Sequence, residues 1–174
     1  MTENSAQPDQ FTGLILLTGS DRPGIAASLF ETLSPFAVHV LDIEQVVINN
    51  RLILTVLIGA SAAHQSAIEE DLNTCALNLD VDIATLFGKG PLAPFPHHLL
   101  EVHLSAEKLH PSSVALVSQV ITNAGANIQS FVRTSDHPTS IAITISGAKK
   151  TDIDAAFNSL VFEHATTVST KAIK

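Results

Sequence analysis

The stretch Gly19-Ser20-Asp21-Arg22-Pro23-Gly24-Ile25 gathers the residue types that could handle a small charged ligand. It lies between an apolar run, Phe11 to Leu17, and a segment with Ile25, Leu29 and Leu33 at the spacing of one helix face. Pro23 has its φ preset for a helix's first turn and lacks an N–H that would go unpaired there. Gly24 has no Cβ, so another molecule can approach its backbone closely. The free N–H groups and positive dipole end of a helix starting here would attract a carboxylate. Asp21 beside them could hold an ammonium group. An anion-holder next to a cation-holder suits a free amino acid. A plainer reading stands beside this one: Asp21 caps the helix, Pro-Gly is ordinary turn chemistry, and Arg22 faces solvent. The residues alone leave both open.

Other reactive residues make weaker patterns. His97, His98 and His103 share one stretch, but strand alternation puts His97 and His103 on one face and His98 on the other. With no carboxylate or cysteine at ligand spacing beside them, no metal site is expected. Cys75 falls on the apolar face of a helical pattern and reads as a core thiol. No glycine-rich phosphate loop and no Ser-His-Asp order is present, so no catalytic residues are expected.

The elements that must carry the turn occur twice. A shift of 88 positions lays Leu14 on Val102, Leu29 on Val117, Leu33 on Ile121, Ile53 on Ile141 and Leu72 on Leu160. The order of element types matches as well, which points to duplication. The first half predicts a strand over 11–17, a helix over 23–33, strands over 38–48 and 52–58 joined at Asn49-Asn50-Arg51, a helix carrying Ile68, Leu72, Cys75 and Leu79, and a strand over 81–87. The second half predicts strands over 98–104, 127–134, 140–145 and 166–170, with helices over 112–124 and 151–163. Gly88 to Pro96, with three prolines and two glycines, reads as a semi-rigid linker. The expected fold class is α+β: two ferredoxin-like βαββαβ domains in tandem, each an antiparallel sheet with helices on one face. Their expected bounds are 11–88 and 97–172, with 89–96 between.

Composition narrows the partners. The 174 residues are 45% hydrophobic and 15% charged, which excludes disorder as the main state. Net charge is −8 with nine basic residues spread thinly, so no nucleic-acid partner is expected. The longest apolar runs are too short to span a bilayer, and residues 1–10 lack an export signal. A single cysteine agrees with a reducing, cytoplasmic setting. Uncovered sheet edges predict a homodimer.

Strand-Gly-Ser-Asp-Arg-Pro-Gly-Ile-helix followed by a ββ hairpin and a second helix resembles the ACT domain, and the chain resembles two of them over about residues 11 to 172. The runs Val40 to Ile48 and Arg51 to Leu54 are most similar to the regulatory N-terminal region of actinobacterial phosphoserine phosphatases. The resemblance implies a module of L-serine biosynthesis that binds a small amino acid, serine first and glycine second. It implies a ligand held between the turn of one unit, here Asp21, Arg22, Pro23, Gly24 and Ile25, and the start of the second strand of a neighbouring unit. That second position often carries Asn; here it is His39 in the first repeat and Asn127 in the second. The second repeat has Ser105 to Pro111 where the Asp-Arg-Pro-Gly turn would be. In such phosphatases the nucleophile is the first aspartate of Asp-x-Asp-x-Thr; Asp80-Val81-Asp82-Ile83-Ala84-Thr85 has Ala84 in the threonine's place and follows a helix, so it reads as a polar strand entry. The catalytic, haloacid-dehalogenase-like half is expected to lie outside these residues, and with it the Mg such enzymes use; no cofactor is expected in this chain. A ligand-free dimerisation module and a standalone regulator acting on another protein are the alternatives.

Overall fold

A computed structural model describes residues 10–90, 92, 96, 98–162 and 166–173. The chain divides into two compact units, residues 1–93 and 94–174. In the first, β1 (Gln10–Ser20) leads into α1 (Ile25–Leu33), the hairpin β2 (His39–Ile48) and β3 (Arg51–Gly59), then α2 (Gln65–Leu79) and β4 (Asp82–Gly90). The sheet is antiparallel in the order β2-β3-β1-β4. In the second, β5 (Leu99–Ala106), α3 (Pro111–Asn123), β6 (Asn127–Ser135), β7 (Thr139–Ser146), α4 (Lys150–Asn158) and β8 (Thr167–Ala172) repeat the plan in the order β6-β7-β5-β8. The α+β class and the doubled βαββαβ topology are those read from the sequence.

Alternation along the strands decides which face takes the helices. Ile15, Leu17, Leu52, Leu54, Val56 and Ile58 form one core with Ile25, Leu29 and Leu33 of α1 and Ile68 and Leu72 of α2. Each such side chain taken out of water contributes about 1.5–3 kcal/mol. Val102, Leu104, Ile143 and Ile145 make the equivalent core with Val117, Ile121 and Ile153. The Asn49-Asn50 connection bends back within two residues because both take positive φ, 49° and 59°, as a type I′ hairpin turn requires.

Three of the boundaries that differ from expectation have a local cause. Helix α1 starts at Ile25 rather than Pro23, because Gly24 sits at φ +94° and interrupts helical geometry. Strand β4 continues past Phe87 to Gly90, since β1 reaches back to Gln10 and pairs with those residues; Pro91 and 93–95 of the expected linker lie outside the described residues. Helix α4 ends at Asn158 instead of residue 163, where the Ser159 hydroxyl donates back to the Ala156 carbonyl and competes with further helix. Among the described residues, no helix is long and apolar enough to cross a membrane.

Candidate functional site

Strand β1 ends at Ser20 opposite Arg51, so the turn that follows projects from the hairpin end of the first sheet. The Asp21 backbone N–H donates to the Asn50 carbonyl at 2.8 Å, which ties the turn to the hairpin. The Arg22 guanidinium donates to the Leu79 carbonyl at the C-terminal end of α2, a partner suited to the negative end of a helix. Arg22 therefore braces the turn.

Gly24 is the N-cap of α1, and no side chain caps that helix. Capping by Asp21, one of the two readings left open by the sequence, is overturned. The N–H groups of Ile25, Ala26 and Ala27 have no partner among the described residues, and neither does the Asp21 carboxylate. Both face an open-sided cavity of about 350 Å³ lined by residues 21–27, Gln45 and Leu52. Leu52 is buried, whereas Asp21, Arg22, Pro23 and Gly24 are exposed. Chemically, the cavity offers an anion site at a helix end and a cation site at a carboxylate.

The structure brings Asp21, Arg22, Pro23, Gly24 and Ile25 together and leaves His39 out of this cavity. His39 pairs with Gly59, eight residues from Arg51 along β3 and so about 27 Å away at strand spacing. Its ring lies over Gly59, where a Cβ would come within 2.4 Å of it, and bonds Gln10 at 3.0 Å. Asn127 opens β6, the matching place in the second unit, and is exposed.

The second unit's helix end is closed. The N-cap of α3 is His110, whose Nδ1 accepts from the Ser112 N–H at 3.2 Å, and Pro111 has no N–H to offer. Ser113 donates instead to the His110 carbonyl at 3.0 Å.

The remaining reactive residues take structural places. His97 lies outside the described residues, and His98 precedes β5 at φ +67°. His103 has a carboxylate neighbour that the sequence reading did not credit: Glu101, two residues away on the same strand face, at 2.6 Å. The hydrogen bond from His103 holds the Glu101 carboxyl below its usual range against the opposing effect of burial, with Lys171 at 3.6 Å adding to it. No group of three or more His, Cys, Asp and Glu that could hold a metal occurs among the described residues. Cys75 is buried with its Sγ 4.0 Å from the Ser28 carbonyl. Asp80 closes α2 at φ +49° and Asp82 opens β4, both exposed, as a polar strand entry would be.

Gln45 and Leu52 were missed in the sequence. The available signal was the hairpin: a two-residue turn at Asn49-Asn50 sets Gln45 opposite Leu54, and so on the helix side of the sheet.

Fold and turn together define the class, a doubled ferredoxin-like module in which the first helix of one repeat has no side-chain cap and its counterpart in the other is capped by His110. Residues 12–85, within the first unit, match the family model described as the ACT domain. It is 32% identical over 152 residues to a phosphoserine phosphatase of Streptomyces coelicolor, a match covering 83% of this chain and 36% of that protein. It is 37% identical over 79 residues to phosphoserine phosphatase SerB2 of Mycobacterium tuberculosis, covering 44% of this chain and 19% of the relative. The match thus spans about a third or less of the curated relatives' length. Among solved structures, one provisionally described as a glycine cleavage system transcriptional repressor shares the fold with TM-score 0.78 at 16% identity, over 95% of this chain and 98% of that one. An unknown protein from Galdieria sulphuraria does so with TM-score 0.74 at 15% identity, over 95% and 99%.

Gly24 gives a clean test of how the helix end is held open. A Cβ there would meet nothing within 4 Å, so the demand for glycine comes from φ +94° alone. Gly24→Ala is expected to cost about 1–2 kcal/mol in denaturant unfolding, through backbone strain without a clash.

Proposed function

We propose that this chain is the amino-acid-binding regulatory module of a phosphoserine phosphatase-type enzyme of L-serine biosynthesis. L-serine is the first ligand and glycine the second. The observation that carries the reading is the unpartnered Asp21 carboxylate beside the uncapped end of α1, in one cavity of about 350 Å³. The ligand's carboxylate takes the N–H groups of Ile25 to Ala27, and its ammonium takes Asp21. Similarity to two phosphoserine phosphatases supports the enzyme class. The phosphatase chemistry itself then belongs to residues outside this chain.

The same reading makes the protein a homodimer in the cytoplasm. Edge strand β2 is ten residues long and exposes Val40, Ile43, Val46, Val47 and Ile48, with Asp42 and Glu44 among them. Antiparallel pairing of β2 with its copy sets the start of one strand against the end of the other, near the Asp21 turn. That is how His39 would reach a partner chain's ligand; Asn127 holds the same place in the second repeat.

Titration of the chain with the twenty amino acids by calorimetry tests the reading. Heat of binding with serine or glycine is expected, together with a raised melting temperature, because the ligand binds the folded state. No heat with either removes it.

A standalone regulator acting on a separate protein is the second reading. It is favoured by the tandem pair alone making up 98% of one solved chain of this fold. The reading frame beyond Lys174 separates the two.

A further inference from the structure

On the helix-facing side of edge strand β2, the residues near the turn alternate Ile43, Gln45, Val47. Their partners across the hairpin are Val56, Leu54 and Leu52, all buried. An apolar residue would continue this pattern. The position that lines the cavity at the open end of α1 instead carries an amide. That amide is exposed and has no hydrogen-bond partner among the described residues, so its placement serves no bond within the fold. Leu52, the cross-strand partner of Val47, gives the same cavity an apolar wall, and the turn supplies the charged anchors.

We propose that Gln45 reads the side chain of the bound amino acid, so that the site prefers a short, neutral, hydrogen-bonding side chain over glycine or alanine. The inference rests on the amino-acid reading of this cavity and goes beyond it by naming what sets the choice of ligand. An amide offers both a donor and an acceptor, so a ligand hydroxyl is satisfied in either orientation. It carries no charge, so an ionised ligand side chain gains no counter-charge from it. Leu52 takes the ligand's Cβ. A site with a hydrogen-bonding group waiting discriminates against the analogue that leaves that group unpaired, which a purely apolar pocket does poorly. The cavity is open-sided, so water limits the discrimination to that of an ordinary neutral hydrogen bond, roughly three- to tenfold.

Calorimetric titration of serine, alanine and glycine into the wild-type chain and into Gln45→Leu tests this. The wild type is expected to bind serine roughly three- to tenfold more tightly than alanine. In Gln45→Leu the serine-to-alanine ratio is expected to fall to about one. Because the ratio is the readout, a general loss of affinity from altered β2 packing does not mimic the effect. Glycine affinity reports the anchors alone. An unchanged ratio in the variant, or a wild type that does not distinguish serine from alanine, overturns the role of Gln45 and leaves the amino-acid site standing. A wild type that binds none of the three overturns the site itself, and Gln45 with it.

Discussion

Asp21→Asn is expected to weaken serine binding by about 10- to 100-fold while leaving the melting temperature essentially unchanged. The size follows from a charge-assisted hydrogen bond, about 1.5–3 kcal/mol when one partner is a full ammonium. The absence of a stability effect follows from the structure. Asp21 caps nothing, its carboxylate has no partner among the described residues, and its backbone bond to Asn50 survives the substitution. Asn keeps the shape and tolerates the turn but presents no charge to the ammonium. Calorimetry gives the affinity and a thermal melt gives the stability. Unchanged affinity would remove Asp21 from the site, whereas a large drop in melting temperature would show a structural part for it.

The double variant Ile43→Lys and Val47→Lys is expected to shift the chain from dimer to monomer, raising the dissociation constant at least about 100-fold. Both side chains are about half exposed, at 51% and 48%, so lysine there is solvated in the monomer and the fold is spared. In an edge-to-edge dimer each copy brings two new cations to one interface, and like charges brought together there cost several kcal/mol. Light scattering at high micromolar concentration should give twice 18.4 kDa for the wild type and a mass near 18.4 kDa for the variant. A wild type that is already monomeric refutes the dimer; a variant that stays dimeric moves the interface away from β2.

The architecture was legible because two independent signals agreed. Helical spacing at Ile25, Leu29 and Leu33 and strand alternation around Ile15 and Leu17 each predicted a buried face, and those faces form one core. The doubled order of elements then carried the second unit with little local signal of its own. What stayed hidden was decided by backbone geometry and by registration. Pro23 and Gly24 looked like the first turn of a helix, but Gly24 takes a left-handed φ and the helix starts after it, at Ile25. Arg22 looked solvent-facing because its acceptor, the Leu79 carbonyl, is 57 residues away and is a backbone atom, which no side-chain pattern marks. Gln45 was hidden for a similar reason: its place at the cavity follows from the pairing of β2 with β3, not from its neighbours in sequence. The early end of α4 turned on a serine hydroxyl competing for a carbonyl, an effect that apolar periodicity cannot register.

His110 folding back onto Ser112 makes the two repeats unequal receivers. One helix end is an open input and the other is stoppered by its own side chain. Under the proposed reading, such a chain takes one ligand at the α1 end and its own response to an effector is a single hyperbola. Any steepness beyond that would then have to arise between coupled copies, with the second repeat contributing scaffold.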